Sequence, residues 1–204
     1  MARPSNTAER KSQIVASLIR VMARTGYDGA SVAQVAAEAG LAPGLVHYHF
    51  ENKREILLAA IDELERRVGA RWLARRGKSR DAWGRLRSYL DAHVALGRDR
   101  DPDAVACWVV IGAEAVRDAE VRAAYERAVS SKLAELGGLV RETLLEEGRD
   151  PRAAPLIAAA LLSAVEGAYR LSVVAQATPS GFASPMLRRI AESLVAGAKK
   201  GPRR

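Results

Sequence analysis

The chain has one cysteine in 204 residues, three histidines and an aromatic content of only 5%. A single thiol excludes a disulfide within these residues and any multi-cysteine metal site, and it fits a reducing, cytoplasmic setting. With so few rings, the core falls to Ala, Leu, Val and Ile, a composition that favours helices. Sustained alternation of apolar and polar residues is missing, so no sheet is expected and the fold class reads as all-α. The uncharged run LIAAALLSAV at 156–165 stops at ten residues, and Glu166 and Arg170 follow at once. A membrane span needs about 20, so this reads as a helix buried in protein, with no membrane partner. The basic N-terminus MARPSNTAERK lacks an apolar stretch behind it, so no secretory signal is expected. Gly-rich phosphate loops, HExxH, GxSxG and paired-carboxylate signatures are also missing. Cys107 or a serine with His93 as base would be the candidate nucleophile, without a supporting motif. No enzyme, no cofactor and no metal are expected.

Acidic residues are scarce in one further place. Nothing between Ala39 and Phe50 carries negative charge, within a segment, Ser31 to Lys53, that reads as two short helices joined by a Gly-containing turn. Ser31 is the expected N-cap of the first, in a reciprocal capping box with Gln34. Val32, Val35, Ala36 and Ala39 recur at helical spacing, and Gly40 sits where a left-handed C-terminal residue is needed. Pro43 suits the first turn of the next helix, about 43–50, whose buried stripe is Val46 and Phe50. Leu45, His47, Tyr48 and His49 are left to face outward or sideways. Asn52 then caps a following helix with Glu55 three residues on, and Lys53 in its first turn is placed to grip a phosphate backbone. A helix–turn–helix with an acid-free second helix is the layout that enters a DNA major groove. Pro43, Gly44 and Leu45 offer close approach and thymine-methyl contact, His47 and His49 ring nitrogens, and Tyr48 a phosphate-binding hydroxyl. His47 and His49 lie about 200° apart around a helix, so they do not make a metal pair.

Residues 8 to 64 resemble the N-terminal domain of the TetR family of bacterial one-component regulators. The likeness rests on RTGYDGAS, on VAQVAAEAGLAPGLVHYHF and on ENKREILLAAIDEL, with Tyr48 to Lys53 its most diagnostic piece. It implies a homodimer that represses a promoter by binding an inverted-repeat operator in double-stranded DNA, and that lets go when a small-molecule effector enters the C-terminal domain. By position it makes Ser31, Pro43, Gly44, Leu45, His47, Tyr48, His49 and Lys53 the DNA contacts. Ser31 stands where Thr is commoner in the family; the hydroxyl is kept. The C-terminal half is more distantly similar to the subgroup around BetI, a choline-responsive regulator, through a Trp-bearing sixth helix and a long seventh. An effector-independent helical DNA-binding or adaptor protein is the alternative reading.

The charge is unevenly spread. Residues 1–80 hold 14 Lys/Arg against 8 Asp/Glu, residues 81–198 hold 14 against 16, and the tail KKGPRR adds four cations. Positive charge beside the helix–turn–helix neutralises phosphate and makes binding salt dependent. The tail reads as a solvated end, whereas the arm Arg3 to Lys11 is placed to touch phosphate.

The first helix is expected over about 7–25, with Ile14, Leu18, Val21 and Met22 as its core stripe and Gly26 and Gly29 closing it. The helix after Asn52 carries Ile56, Leu57, Ala60, Ile61, Leu64 and Val68 on one face and ends near Gly77. Five more follow at about 80–97, 102–116, 119–147, 151–176 and 184–198, giving nine, the family's usual number. The expected domains are 1–52 (helix–turn–helix), 53–77 (linking helix) and 78–204 (effector binding and dimerisation), with the break at RRGKSRD. The alanine-rich helix near 156–165 and the last helix, with Leu187, Ile190, Leu194 and Ala198, would pair with their copies as a four-helix bundle. Trp83, Tyr89, His93, Trp108, Glu114, Tyr125, Glu166 and Tyr169 are candidate effector-pocket residues. Glu114 or Glu166 beside aromatic rings would favour a cationic ligand. Read one by one, Glu166 suits a pair with Arg170, Glu114 an exposed cap or salt bridge, and the tryptophans and Cys107 plain core.

Overall fold

The computed structural model describes residues 6–77, 79–94, 101–175 and 178–201. Among them the regular structure is helical, in nine α-helices: α1 Asn6–Gly29, α2 Val32–Ala39, α3 Pro43–His49, α4 Lys53–Arg76, α5 Ala82–His93, α6 Pro102–Glu114, α7 Ala119–Glu146, α8 Ala154–Val174 and α9 Ala183–Gly197. The all-α architecture and the helix order are those read from the sequence. Arg3, Lys78 at the expected break and the last three tail residues lie outside the described residues.

The chain divides into two compact units, Met1–Arg66 with Asp101–Arg127, and Arg67–Arg100 with Ala128–Arg204. In the first, Ile14, Leu18, Val21 and Met22 are buried along α1 as their spacing demands. They pack against α6, α2 and α3. Regular helix geometry breaks at Gly26, whose φ of 71° is a conformation that a residue with a Cβ rarely adopts. From α4, Ile56, Leu57, Ala60, Ile61 and Leu64 join this core, while Val68 is only half-buried.

In the second unit α8 packs on α9, and α9 on α5. Asp91 on α5 anchors the start of α9, accepting from the Ser184 hydroxyl at 2.7 Å and pairing with Arg188. Ile157, Ala158, Leu161, Leu162, Val165, Ala168 and Tyr169 form the buried face of α8. The ten-residue run proves to be part of a longer apolar stretch, because small residues either side extend the helix. With its preceding turn, Pro151–Val174 is long and apolar enough by composition to cross a membrane, an 18-residue window within it reaching a mean hydropathy of 1.5. That inner face is nevertheless packed against protein. The outer face carries Leu156, Ala160, Ser163, Gly167, Leu171 and Val174, all exposed, with Leu156 78% and Val174 68% accessible. Steps of four and three residues put them in one stripe.

Candidate nucleic-acid interface

Three contacts fix the short helix pair on α1. The capping box forms as expected: Gln34 N–H donates to the Ser31 hydroxyl at 3.1 Å, and Ser31 N–H to Gln34 Oε1 at 2.8 Å. Gly40, at φ 64°, closes α2 by donating its N–H to the last carbonyls. Beyond these, Glu38 receives two guanidinium groups from α1, Arg20 and Arg24, each at 2.6 Å. Gln13 donates to the Ala39 carbonyl, also at 2.6 Å. These long-range ties were missed from the sequence, because residues 14 to 26 positions apart meet only once the helices cross.

With α2 held, α3 buries Val46 and its C-cap Phe50. Lys11 lies over the Phe50 ring at 5.2 Å. The opposite side of α3 is open: Pro43, Gly44, Leu45, His47 and Tyr48 are exposed, Tyr48 to 78%. His49 departs from the outward or sideways orientation expected of it. Three residues on from Val46, it falls on the inner face of so short a helix and is 8% exposed, its ring meeting that of Tyr48 edge-on at 5.0 Å. Ser31 is exposed, and its hydroxyl accepts the cap bond, leaving its proton to donate.

Asn52 caps α4 by accepting from Glu55 N–H at 3.0 Å, and Glu55 reaches back to the N–H of Glu51. Lys53 is tied down. Its ammonium donates to the Tyr27 carbonyl at 2.7 Å and sits 4.1 Å above the Tyr27 ring. Two of its three N–H groups remain for a phosphate. Tyr27 was not singled out from the sequence; RTGYDGAS was read as a helix stop and as part of the family likeness, without a role for its tyrosine. Burial pushes its hydroxyl pKa up, partly offset by the Arg54 charge and reinforced by Asp118 and Glu114. Arg54 itself pairs with Asp118 at 3.0 Å and Glu120 at 3.2 Å. The Asp118 carboxyl is held below its ordinary range, chiefly by the Val121 N–H that it caps.

Hydrogen bonds from Arg20 and then Arg24 lower the Glu38 pKa below its ordinary 4.5. A depressed folded-state pKa contributes stability above the unfolded value, which is lost as pH falls through the folded one. The melting temperature is therefore expected to fall from about pH 5 downward, and less steeply in Glu38→Gln. Equal acid slopes for wild type and variant would remove the clamp from this account.

The eight pocket candidates divide between the units. Trp108, Glu114 and Tyr125 lie in the first, where Trp108 and Tyr125 rings stack at 4.9 Å. Glu114 is half-buried there, its charge felt by Tyr27. Trp83, Tyr89, His93, Glu166 and Tyr169 lie in the second. Tyr89 and His93 are in ring contact at 4.4 Å, and the Tyr169 hydroxyl donates to the His93 carbonyl at 2.9 Å. Trp83 turns to the surface and donates to Glu147 at 2.8 Å. Trp72, edge-on to Tyr89 at 5.5 Å, was not among the candidates. Its place four residues after Val68 on the buried side of α4 was the available signal. Among the described residues no cluster of His, Cys, Asp and Glu is arranged to hold a metal.

Helices throughout the described residues, with a helix–turn–helix near the N-terminus whose second helix is exposed and acid-free, are the class that this geometry defines. Residues 14–60 match the model for bacterial regulatory proteins of the tetR family. The HTH-type transcriptional regulator BetI of Brucella anthropi is 25% identical over 113 residues, 55% of this chain and 58% of that one. BetI of Rhizobium meliloti is 28% identical over 123 residues, 55% of each chain. The chain thus spans little more than half the length of the curated relatives it matches. Among solved structures, a transcriptional regulator from Rhodococcus sp. Rha1 superposes with a TM-score of 0.79 at 23% identity, over 94% of this chain and 99% of that one. One from Saccharomonospora viridis in complex with choline gives 0.77 at 21%, over 93% and 97%. At such identities these likenesses show the fold. Residues 14–60 thus carry the N-terminal signature of the tetR family of bacterial regulatory proteins.

Proposed function

We propose that the chain is a homodimeric, sequence-specific DNA-binding regulator in the cytoplasm, a repressor that leaves its inverted-repeat operator when a small-molecule effector binds. The observation that carries this is the exposed face of α3, where Pro43, Gly44, Leu45, His47 and Tyr48 stand without a carboxylate among them. Leu45 and His47 face base edges; Ser31, Tyr48 and Lys53 donate to phosphates. His49 acts from behind, steadying Tyr48 through its ring edge. Residues 1–52 form the reading head, 53–77 the linking helix and 78–204 the effector and dimerisation part. The apolar outer stripe of α8 supports two-fold pairing, with the half-exposed Ile190 and Leu194 of α9 beside it.

Release is mechanical. Successive major grooves on one face of DNA lie about 34–36 Å apart, so α3 and its copy must keep that spacing. An effector acting through α4, which starts four residues after α3 ends, shifts the spacing. It needs only to prefer the non-binding arrangement by a few kcal/mol.

The test selects duplexes from a random library with the purified protein, then measures affinity for the winner against salt. An inverted repeat is expected to emerge, with log affinity falling linearly in log salt. Tyr48→Phe, which loses one phosphate hydrogen bond, is expected to weaken binding by up to about tenfold at equal stability. Lys53→Ala is expected to reduce the salt slope by about one. No enriched sequence, or a slope and affinity unchanged in both variants, ends the proposal.

A further inference from the structure

Among the described residues one buried side-chain polar atom has no hydrogen-bond partner: Nε2 of His93, at the end of α5. The residue is 3% exposed. Its other ring nitrogen, Nδ1, lies 3.0 Å from the Tyr89 carbonyl oxygen. A carbonyl only accepts, so Nδ1 carries the proton and Nε2 presents a bare lone pair. Burial lowers the ring's pKa to about 4, helped by the Lys132 and Arg71 charges against the Tyr89 hydrogen bond. The imidazole therefore stays neutral at ordinary pH, an acceptor and never a second donor.

Its surroundings are aromatic and largely satisfied. Tyr89 lies against the ring, Trp72 stands edge-on behind Tyr89, and Tyr169 donates to the His93 backbone carbonyl. The Trp72 indole N–H is taken up by Glu135 at 2.7 Å. Helices α4, α5, α7 and α8 thus surround His93 within the second unit, and they leave one acceptor unmet. Buried acceptors are ordinarily paired, and an orphan marks the place of a missing donor.

We propose that His93 Nε2 is the polar anchor of an effector site inside the second unit, for an uncharged, flat apolar molecule whose hydroxyl or amide N–H donates to it. This rests on the effector-responsive reading above and narrows it. Lys132, itself 5% exposed, and Arg71 already set positive charge towards the ring, which disfavours the cationic ligand expected from the acidic candidates. Of those acids, Glu114 lies in the first unit, and Glu166 on α8 in the second, where the Lys132 and Arg71 charges outnumber it. A quaternary ammonium head has no N–H to give.

Three histidines make the site directly readable by side-chain ¹⁵N spectroscopy of the full chain. The probes are benzyl alcohol, its donor-free analogue toluene, and tetramethylammonium. Benzyl alcohol is expected to move the His93 Nε2 resonance saturably, and the other two to leave it in place. In His93→Phe, affinity for benzyl alcohol relative to toluene is expected to fall about tenfold, the worth of one buried hydrogen bond. If that variant fails to fold, His47→Gln and His49→Gln assign the remaining resonance, and the wild-type spectrum decides. A His93 Nε2 already hydrogen-bonded in the ligand-free protein, or one indifferent to benzyl alcohol, overturns the proposal, as does a shift with tetramethylammonium. Affinity for the selected duplex is measured on the same samples. Intact DNA binding with a silent His93 removes this site alone, whereas lost DNA binding with a responsive His93 removes the regulator reading.

Discussion

Gly167→Arg is expected to leave each protomer folded, abolish the dimer, and weaken binding to the inverted repeat by about 10²-fold or more. Gly167 lies exposed in the middle of the outer α8 stripe, and a Cβ added there would meet nothing within 4 Å. The protomer accommodates a side chain, and arginine raises helix propensity by about 1 kcal/mol over glycine. The copy does not accommodate it. In the proposed dimer, the small residues Ala160, Ser163 and Gly167 would let two α8 helices approach closely, and a two-fold axis would bring the same cation in from both sides. Without pairing, each half-site is bound singly and the second contact is no longer intramolecular. Sedimentation velocity, thermal melting and fluorescence anisotropy on the selected duplex check the three parts separately. A variant that remains dimeric would move the interface off this stripe, and a monomer with wild-type affinity would end the two-headed reading.

Phe50→Ala is expected to remove about 3–5 kcal/mol of stability and all measurable operator binding. Phe50 is 4% exposed, ends α3, and has Lys11 of α1 over its ring. A seven-residue helix does not persist on its own propensity; Val46 and Phe50 hold it. Truncating the larger anchor leaves a void that the surrounding helices fill only in part, and α3 loses the seat that orients its open face. The melting temperature falls by about 10 °C for a chain of this size. Tyr48→Ala, two residues away on the opposite side of α3 and 78% exposed, is expected to melt like wild type. Equal melting of Phe50→Ala and wild type would show that the α3 seat lies elsewhere.

Much of the fold was legible because its signals are local. The capping box at Ser31 and Gln34, the left-handed Gly40 and the proline starts at Pro43 and Pro102 each act within a single turn of chain. Apolar spacing on α1 and α4 named most of the buried residues, since a helix face is fixed by its period, but it left out Val15 and Ile19 on α1 and Trp72 on α4. The site was legible in its exposed half, and less so where short-range logic ended. His49 was grouped with its outward- or sideways-facing neighbours, yet on a helix of seven residues the inner face takes whatever follows Val46 by three.

Taken alone, the sequence determined the helical class, the helix order, the acid-free segment and the N-terminal likeness to the tetR family, all properties of residue type and spacing along one stretch of chain. Tertiary structure decided which groups meet across stretches. It brought Arg20 and Arg24 to Glu38, docked Lys53 on Tyr27, and split the pocket candidates between two units. It also left a lone pair on His93 bare inside the protein. Spacing cannot encode these outcomes, because whether a polar group finds its partner depends on how helices distant in sequence cross and pack.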